Sequence, residues 1–432
     1  MDDDRPGQLK PHVTDSRRPT KRADIVLLST AEWDNPFWTN KQHVACELAK
    51  RGHRVFYIES LGLRRPSVNG RDLRRILRRL RRSMRAPRHV RENVWVWSPL
   101  VLPFQGSKVA RAVNRLLLRV SLSFHLRSKG IDKEILWTYN PMTTRFLDVG
   151  QWDKVVYHCV DDIAAQPGMP AEAIREADDD LTAASDVVFT TAPRLAEVRR
   201  SINARTFFLP NVVDYEHFSQ AQDDATSIPA DLAAIPEPRL GYVGAVSGYK
   251  LNFRLLKELA ERRPDWSIVL IGQVGAGDPG TDPSLLQGLP NLHLLGPRPY
   301  GELPSYMKGF DAALLPSQLN DYTASMFPMK FFEYLAAGRP VVSVDLPAIR
   351  DFREVVSISN DAAGFEASVE GILIGKGPGC EAGQMIARTH TYEVRTEKMM
   401  KLLEGVPEEA TTSVHTGPSA STPPPRVGAS AP

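Results

Sequence analysis

Short apolar runs alternate with amphipathic stretches along most of the chain. The first run, D-I-V-L-L-S at 24–29, is followed by a helical pattern over about 39–51 and by a second apolar run, R-V-F-Y-I, at 54–58. A strand, a helix and a strand at this spacing form a βαβ unit, which implies a parallel sheet. Further runs predict strands at 94–97, 134–139, 154–160 and 186–191, with a long helix over about 107–129.

A second set of apolar runs begins after a polar stretch at 220–238 that contains three prolines. Such a stretch is typical of a linker. Six predicted strands follow, R-L-G-Y-V-G, W-S-I-V-L-I-G, N-L-H-L-L-G, D-A-A-L-L-P, P-V-V-S-V and V-V-S-I-S, with helical patterns between them. The sequence therefore predicts an α/β protein with two Rossmann-like parallel sheets. We expect domains at 23–219 and 239–385, a final helix at 386–404, and disorder at 1–22 and 405–432.

Composition narrows the class of protein without naming a function. The 432 residues suffice for two domains with full cores, and 42% hydrophobic with 24% charged residues is ordinary for a soluble protein. Three widely separated cysteines suggest neither a disulfide framework nor a metal cluster. No apolar run approaches the roughly 20 residues that span a bilayer, and the first residues lack the apolar core of a secretory signal. We therefore expect a protein of the reducing cytosol.

The net charge of +3 conceals one strongly basic segment. Between Arg64 and Arg91 there are twelve arginines and one acidic residue, so this segment has a net charge of +11. Since the whole chain has a net charge of +3, the rest of the chain has a net charge of −8. Residues 70–86 follow a helical pattern with one apolar stripe. A basic amphipathic helix favours an anionic membrane surface over nucleic acid, and a solvated helix packed by its stripe is the alternative. The candidate membrane contacts are Arg74, Arg75, Arg78 and Arg79.

The stretch M-F-P-M-K-F-F-E-Y-L-A-A-G-R-P-V-V-S-V at 326–344 predicts a short helix and a buried strand. Pro328 suits the first helical turn, and Gly338 suits the left-handed position after the helix end. Lys330 and Glu333 are three residues apart and share a helix face. The helix N-terminus with Lys330 suits a phosphate, and Glu333 suits a pair of ribose hydroxyls. From the residues alone, a nucleotide site and an amphipathic helix with an exposed ion pair are equally good interpretations.

The motif P-M-K-F-F-E-Y-L-A-A-G-R-P-V-V resembles the signature of GT-B nucleotide-sugar glycosyltransferases of family 4, in particular the bacterial branch with teichuronic-acid-type and other cell-surface polysaccharide enzymes. The resemblance implies two Rossmann-like domains that face a cleft, with the last helix crossing back to the first domain. It also implies that Glu333 holds the donor ribose. Many relatives carry a glutamate eight residues earlier that contacts the donor sugar. Here Ser325 stands at that position, and Asn320 and Asp321 are candidate substitutes. Ser325 and Met326 are themselves donor-site candidates.

Two further loops are candidates for the donor site. The loop G-Y-V-G-A-V-S-G-Y-K contains Gly244, where a backbone without a side chain can approach a phosphate closely. In relatives this loop carries an arginine that meets the pyrophosphate. Ala245 stands at that position, and Lys250 is the nearest substitute. The loop G-P-R-P-Y-G-E-L-P-S-Y resembles the one around the donor base, with Arg298 and Tyr300 as candidates and a proline-rich connection as the alternative.

The loop after the first strand, A-E-W-D-N-P-F-W-T-N, combines aromatic, acidic and amide side chains. Ligands of open α/β sheets bind at the carboxyl ends of the strands, and such side chains suit a sugar. Trp33, Asp34 and Trp38 are therefore acceptor-side candidates, with simple anchoring of the loop as the alternative. The resemblance places a similar W-D loop on the acceptor side.

The strand V-V-Y-H-C-V runs directly into Asp161. His158 and Asp161 are candidates to bind an acceptor hydroxyl and take its proton, and a buried structural histidine is the alternative. A similar Y-x-x-x-D arrangement in relatives favours Asp161. The later segment P-N-V-V-D-Y-E-H-F resembles the turn that closes the first domain in the family, with Asn211 and Asp214 as turn formers.

Together these features predict a glycosyltransferase that moves a sugar from a nucleoside diphosphate to a hydroxyl of a cell-surface glycan or lipid-linked acceptor at the inner face of the membrane. Lys330 and the helix dipole would stabilise the leaving diphosphate, and the family implies retention of configuration. No D-x-D motif falls at the site, so we expect no metal or other cofactor, and no nucleic acid partner. The alternatives are a degenerate GT-B scaffold at the membrane, which Ser325 and Ala245 favour, and a nucleotide-sugar epimerase or glycogen-type enzyme.

Overall fold

The computed structural model describes residues 22–35, 38–61, 85–101, 108–278 and 280–406. They divide into two compact units. The first comprises residues up to 158 together with 163–185, and the second comprises 159–162 together with the chain from 186 onward. The division falls at residue 185, whereas the sequence places it at about 219. The terminal segments predicted to be disordered fall almost entirely outside the described residues, as do Arg74, Arg75, Arg78 and Arg79.

Eight strands of the described chain form the first sheet, in the order β3-β4-β2-β1-β5-β6-β7-β8. Every residue of β1 is buried, and β1 pairs in parallel with β2 and β5. A parallel strand covered on both faces is expected to be apolar throughout, as D-I-V-L-L nearly is. The strands are β1 Asp24–Leu28, β2 Arg54–Ile58, β3 Arg88–Arg91, β4 Val94–Trp97, β5 Ile135–Thr138, β6 Lys154–Cys159, β7 Val187–Thr190 and β8 Thr206–Phe208.

One edge of this sheet corrects the prediction of a wholly parallel arrangement. The β3 strand pairs antiparallel with β4. The connection between them is a tight turn in which Asn93 has a φ of +59°, a left-handed conformation that asparagine tolerates well. Two strands joined by so short a turn must run antiparallel, since a parallel pair needs a long crossover.

The second sheet has the six predicted strands, in the order β11-β10-β9-β12-β13-β14, and all its pairs are parallel. All residues of β9, β10, β12 and β13 are buried. The prediction of this sheet is confirmed strand by strand. The strands are β9 Arg239–Val243, β10 Ser267–Ile271, β11 Leu292–Leu294, β12 Ala312–Leu315, β13 Val341–Ser343 and β14 Val356–Ile358.

Helices connect the strands and pack on the sheets. None of the described helices is long and apolar enough to cross a membrane. The helices are α1 Asn40–Lys50, α2 Lys108–Lys129, α3 Thr143–Phe146, α4 Ala171–Ala184, α5 Pro193–Arg200, α6 Tyr215–Ser219, α7 Ala230–Ala233, α8 Phe253–Arg262, α9 Leu303–Lys308, α10 Asp321–Ala324, α11 Met329–Ala336, α12 Ala362–Leu373, α13 Cys380–Thr389 and α14 Tyr392–Leu403.

Two segments differ from their predicted form. The final helix was expected to be continuous, but α13 ends before His390 and α14 starts anew, because the Thr391 hydroxyl accepts a hydrogen bond from the Val394 amide and caps the second helix. The segment 220–238, predicted as a linker, contains α7 and packs into the second unit. Leu232 and Ile235 are buried there in the core of that unit.

Gly338 ends α11 in the predicted left-handed conformation, with a φ of +68°. A Cβ atom at this position would lie 2.8 Å from Nε2 of Gln384. We expect Gly338→Ala to lower the free energy of unfolding by about 1–2 kcal/mol, because a side chain disfavours this conformation. Urea denaturation measures the change. Gly301→Ala is the control, since no atom lies within 4 Å of its added Cβ; equal losses in both variants would contradict the argument.

Candidate functional site

The strand order of the second sheet places two loops side by side. The order reverses between β9 and β12, and open α/β sheets bind ligands at the carboxyl ends of the strands at such a point. The loop after β9 and the loop after β12 are joined there by backbone hydrogen bonds. The Asn252 amide donates to the Pro316 carbonyl at 2.8 Å, and the Gln318 amide donates to the Lys250 carbonyl at 2.8 Å. Residues of these two loops therefore form one surface.

Gly244 starts the loop after β9 and has a φ of +156°. A Cβ atom on it would lie 2.5 Å from the Tyr242 hydroxyl, so glycine is required here for space as well as for conformation. The Tyr242 hydroxyl donates to the Ala245 carbonyl at 3.3 Å. Ala245 thus contributes its backbone carbonyl to the local structure, and the approach of Gly244 to a phosphate stays a prediction.

Tyr322 lies between two residues that the sequence assigned to different roles. Its ring centroid is 5.4 Å from Nζ of Lys250, and its hydroxyl donates to Oδ1 of Asp161 at 3.3 Å. Tyr249 adds a second ring 5.4 Å from the same ammonium group. Asp161 follows β6 in the chain, but it belongs to the second unit. The structure therefore brings the predicted catalytic carboxylate and the predicted donor-site lysine to the same tyrosine.

The state of the Tyr322 hydroxyl follows from its surroundings. Burial, and secondarily the negative charge of Asp161, raise the pKa of Tyr322 well above its ordinary value. The hydroxyl therefore stays protonated over the range in which proteins are stable and acts as a hydrogen-bond donor to Asp161. This contact fixes the orientation of the carboxylate.

Ser325 ends α10 and is buried, with 2% of its surface exposed. The two candidate substitutes for the family's glutamate have other partners. Asn320 caps the N-terminus of α10, and its Nδ2 donates to the Tyr249 carbonyl at 2.8 Å. Asp321 forms an exposed ion pair with Arg194 at 3.1 Å. Both side chains thus have clear structural roles.

Met326 and Phe327 lead from α10 into α11. Nδ2 of Asn211 donates to the Phe327 carbonyl at 2.6 Å and holds this connection in place. Asp214, the other turn former of that segment, caps α6 by accepting a hydrogen bond from the His217 amide. Pro328 precedes the helix as its capping residue, one position earlier than predicted. The start of α11 is therefore positioned from outside the helix.

Lys330 and Glu333 form an ion pair on α11, with 2.5 Å between Nζ and Oε2. The Lys330 side chain is 24% exposed, whereas the Glu333 side chain is 4% exposed. The alternative of an exposed ion pair therefore does not describe Glu333. A buried carboxylate keeps its charge only with a partner, and here the partner's side chain is the more exposed member of the pair.

The charge of Glu333 acts on three nearby tyrosines. Burial first, and then the Glu333 charge, raise the pKa of Tyr300. The pKa values of Tyr334 and Tyr392 are raised mainly by burial, with Glu333 contributing. Tyr334 also ties α11 to β9, since its hydroxyl oxygen accepts the Val243 amide at 2.8 Å. Glu333 is thus a buried carboxylate on a helix that Tyr334 ties to β9, and hydrogen bonds to a buried carboxylate are strong.

The two predicted base-loop residues have different environments. Tyr300 stacks on the His217 ring, with centroids 4.3 Å apart, and lies near Glu333. Arg298 instead pairs with Asp231 at 2.6 Å, and its Nε donates to the Tyr306 hydroxyl at 2.6 Å. Burial acts to raise the pKa of Asp231, but hydrogen bonds from Arg298 and from the Tyr306 hydroxyl hold this pKa below its ordinary value. Arg298 therefore fastens the segment 220–238 to the second sheet, and only Tyr300 accompanies Glu333.

The acceptor-side candidates of the first unit lie beyond the end of β1. Trp33 is buried, and its ring packs edge-on against Trp38 at 5.4 Å and Tyr57 at 5.1 Å. Its amide donates to Oε1 of Glu59 at 2.7 Å. Trp33 thus anchors the loop, as the alternative interpretation holds.

Trp38 and Asp34 are more accessible. The Arg91 guanidinium lies 5.0 Å from the Trp38 ring, and Asp34 pairs with Arg88 at 2.6 Å, both side chains being 48% exposed. Both arginines belong to β3, the strand absent from the predictions. An exposed pair of this kind contributes little stability, so Asp34 remains accessible to a polar ligand.

His158 is fully buried in the first unit. Its ring lies 4.7 Å from the Tyr139 ring and 6.0 Å from the Trp137 ring. These contacts are those of a core histidine. Of the two proton acceptors proposed from the sequence, Asp161 is the one that shares a cluster with a donor-site candidate.

Sequence reasoning missed Tyr322, Tyr249 and Tyr57. Tyr322 and Tyr249 follow β12 and β9, the two strands on either side of the reversal in strand order. The six strands were predicted, and the usual order of such a sheet places those two loops together. Applying that order would have singled out the aromatic residues in both loops. Tyr57, inside an apolar strand, carries no such signal.

Residues 237–374 match the family model described as "Glycosyl transferases group 1". The match spans the second sheet and contains Gly244, Lys250, Lys330 and Glu333. The match covers about a third of the 432-residue chain and shows a similarity to that family over this region. It includes the Lys330–Glu333 pair and Tyr322, whereas Asp161 lies outside it.

One curated protein similar to this chain is the putative teichuronic acid biosynthesis glycosyltransferase TuaH of Bacillus subtilis (strain 168). The two are 29% identical over 231 residues, which cover 49% of this chain and 56% of TuaH. The chain thus spans about half the length of this curated relative. With the group 1 domain, this similarity confirms the predicted resemblance to family 4-like glycosyltransferases and supports the predicted enzyme class.

Solved structures of several GT-B enzymes share the fold. Sucrose-phosphate synthase from Thermosynechococcus elongatus has a TM-score of 0.63 at 16% identity, over 89% of this chain and 99% of that one. Anabaena HepE in complex with UDP and glucose has a TM-score of 0.62 at 14% identity, over 89% and 100%. WaaG, a glycosyltransferase involved in lipopolysaccharide biosynthesis, has 0.55 at 14% identity, over 88% and 100%. The predicted GT-B fold is confirmed.

Proposed function

We propose that this protein is a glycosyltransferase that moves a sugar from a nucleoside diphosphate to a hydroxyl of a cell-surface glycan or lipid-linked acceptor, with retention of configuration. The observation that carries the proposal is the Lys330–Glu333 pair of α11, in which the Glu333 side chain is buried and the Lys330 side chain is partly exposed. Burying a carboxylate costs free energy, so a purely structural salt bridge would gain no stability from having its carboxylate buried and its lysine partly exposed.

In the proposed reaction the bond between the anomeric carbon and the diphosphate breaks, and the acceptor oxygen forms a new bond to that carbon. Lys330 and the free amides of α11 take up the growing negative charge on the diphosphate. Glu333, released from Lys330, accepts hydrogen bonds from the two ribose hydroxyls. Asp161 takes the acceptor proton, held in position by Tyr322. The scheme calls on no resident metal or other cofactor.

The proposed donor and acceptor classes rest on similar proteins and on the positive charge of the segment at 64–91. HepE, which has a similar fold, binds UDP and glucose, so a uridine nucleotide is the first donor to test. TuaH is described as an enzyme of teichuronic acid biosynthesis, which makes a cell-surface glycan the first acceptor class. The basic segment at 64–91 favours an acceptor at the anionic inner face of the membrane, with Trp38 and Asp34 as acceptor contacts.

Calorimetric titration with UDP, GDP and their sugars tests the donor site. We expect one nucleotide to bind the wild type, and Glu333→Gln to weaken its binding by at least about tenfold, since hydrogen bonds to a charged acceptor are lost. Glu354→Gln, which neutralises an exposed carboxylate of the same unit, is the control and should bind like the wild type.

Three outcomes separate the alternatives. Equal binding by Glu333→Gln and wild type would remove Glu333 from the site. Failure of every nucleotide to bind would favour the scaffold, in which Ser325 and Ala245 reflect lost chemistry. Turnover of a nucleotide sugar without any acceptor would favour the epimerase.

A further inference from the structure

The long helix α2 of the first unit carries apolar side chains on two opposite sides. Leu118, Leu122 and Leu126 recur at four-residue intervals and are 1–3% exposed, so they form the side packed on the unit. The opposite side carries five large apolar residues that face solvent. They are Val113 at 38%, Leu116 at 63%, Leu117 at 36%, Val120 at 61% and Phe124 at 67% exposure. We call these five residues the outer face of α2.

The outer face is unusual because a helix that covers a sheet needs only one apolar stripe. Single exposed apolar residues are ordinary, but a contiguous patch marks a surface that meets something else. Elsewhere in the described chain, equally exposed apolar side chains are scattered; Leu319, Ile374 and Met385 are 54%, 66% and 58% exposed. Five on one side of one helix therefore call for a partner.

The charge of α2 points to the nature of that partner. The helix contains six lysines and arginines and no acidic residue. Arg119 is exposed beside the outer face, and Arg127 is exposed beyond its C-terminal end. An apolar strip bordered by cations matches a surface that is apolar inside and anionic at its rim. Long arginine side chains can reach anionic groups while the neighbouring apolar side chains are buried.

We propose that the outer face of α2 inserts into the headgroup region of an anionic membrane, with the helix lying in the plane of the surface. The inference rests on the proposed membrane-linked acceptor and assigns the contact to a defined element. Two other occupants fit less well on charge. A second copy would bring two acid-free basic helices together, and residues 62–84 of this chain carry nine arginines and one acid. Both would repel α2, whereas anionic lipids attract it.

Flotation with vesicles tests the proposal. The full chain is mixed with phosphatidylcholine vesicles, with and without phosphatidylglycerol, and the bound fraction is measured. The test variant replaces Leu116, Val120 and Phe124 by serine, and the matched control replaces Leu319, Ile374 and Met385 by serine. We expect the test variant to partition at least about tenfold less into anionic vesicles, because three inserted apolar side chains are lost. The control should partition like the wild type.

Replacing Arg74, Arg75, Arg78 and Arg79 by serine is a separate comparison. This variant should lose much of the preference for anionic over neutral vesicles, because each basic residue near the surface adds to the attraction. If the basic segment alone held the protein at the membrane, the α2 variant would bind like the wild type, and that result overturns the assignment to α2.

Two further results would overturn it. A dimer in analytical ultracentrifugation that the α2 substitutions dissociate would show that the face binds a second copy. A thermal midpoint lowered in the α2 variant, as in a core variant, would show that the face is covered by another part of the chain. Calorimetric nucleotide binding without vesicles distinguishes the proposed membrane contact of α2 from the proposed glycosyltransferase function. An α2 variant that binds nucleotide normally but does not bind vesicles supports both proposals. A wild type that binds vesicles but no nucleotide contradicts only the glycosyltransferase proposal.

Discussion

Lys330→Ala is expected to lower kcat by about two to three orders of magnitude, because the ammonium group meets charge that grows on the diphosphate only as the bond to the sugar breaks. The effect on the KM of the donor should be smaller, since the amides at the start of α11 remain. Release of the nucleoside diphosphate in the presence of acceptor measures both constants. Equal losses in binding and turnover would show that Lys330 stabilises the bound donor and the transition state alike.

The same substitution also affects stability, and the experiment must separate the two effects. Without Lys330 the Glu333 carboxylate, whose side chain is 4% exposed, loses its ion-pair partner. Breaking a buried pair costs about 3 kcal/mol, and less here because the Lys330 side chain is 24% exposed. The double variant Lys330→Ala/Glu333→Gln removes the unpaired charge and should recover stability in urea denaturation. A double variant that also recovered kcat would show that the loss arose from unfolding.

The features that sequence predicted well are those with local causes. The helix α11 and the strand β13 were predicted from a proline, a glycine and a run of valines within one stretch, and only the exact position of Pro328 differs. The six strands of the second sheet are short and mostly apolar, and proline, glycine and polar residues separate them. The break between α13 and α14 was missed, because a threonine cap inside a long amphipathic pattern is a weak signal beside the pattern itself.

Features that depend on distant pairings were not predicted. The strand β3 falls at the end of a segment of arginines, and its pairing with β4 decides its structure more than its own residues do. Tyr322 and Asp161 are 161 residues apart, and their contact follows from which strands are neighbours. Arg298 and Tyr300 are two residues apart in one loop and still differ in environment. Arg298 forms an ion pair with Asp231, whereas Tyr300 stacks on His217.

These pairings divide the site into two functions with separate supports. Glu333 and Lys330 are positioned by α11, and Tyr300 is held by the ring of His217; we propose that this group binds the donor nucleotide. Asp161 and Lys250 are positioned by Tyr322, in the loops at the reversal of strand order. Variants of Glu333 should therefore affect nucleotide binding, and variants of Asp161 should affect turnover with little change in nucleotide binding.

Asp161→Asn tests that division most directly. We expect it to lower kcat by about two orders of magnitude or more, the usual effect of removing a positioned proton acceptor. Calorimetric nucleotide binding should match the wild type, because Glu333 and Lys330 are intact. An unchanged kcat would remove Asp161 from the reaction, and lost nucleotide binding would place it in the donor site instead.

Tyr322→Phe tests whether the hydrogen bond from the Tyr322 hydroxyl orients the Asp161 carboxylate. The variant keeps the ring beside Lys250 and removes only the hydroxyl that donates to Asp161 at 3.3 Å. We expect kcat to fall by about tenfold, the usual worth of one hydrogen bond to a charged group. If the hydroxyl acts only by orienting the carboxylate, Tyr322→Phe should have no further effect once Asp161 is asparagine, and the two losses will not add. Additive losses would show that Tyr322 contributes to turnover independently of Asp161, through Lys250 or through the substrate itself.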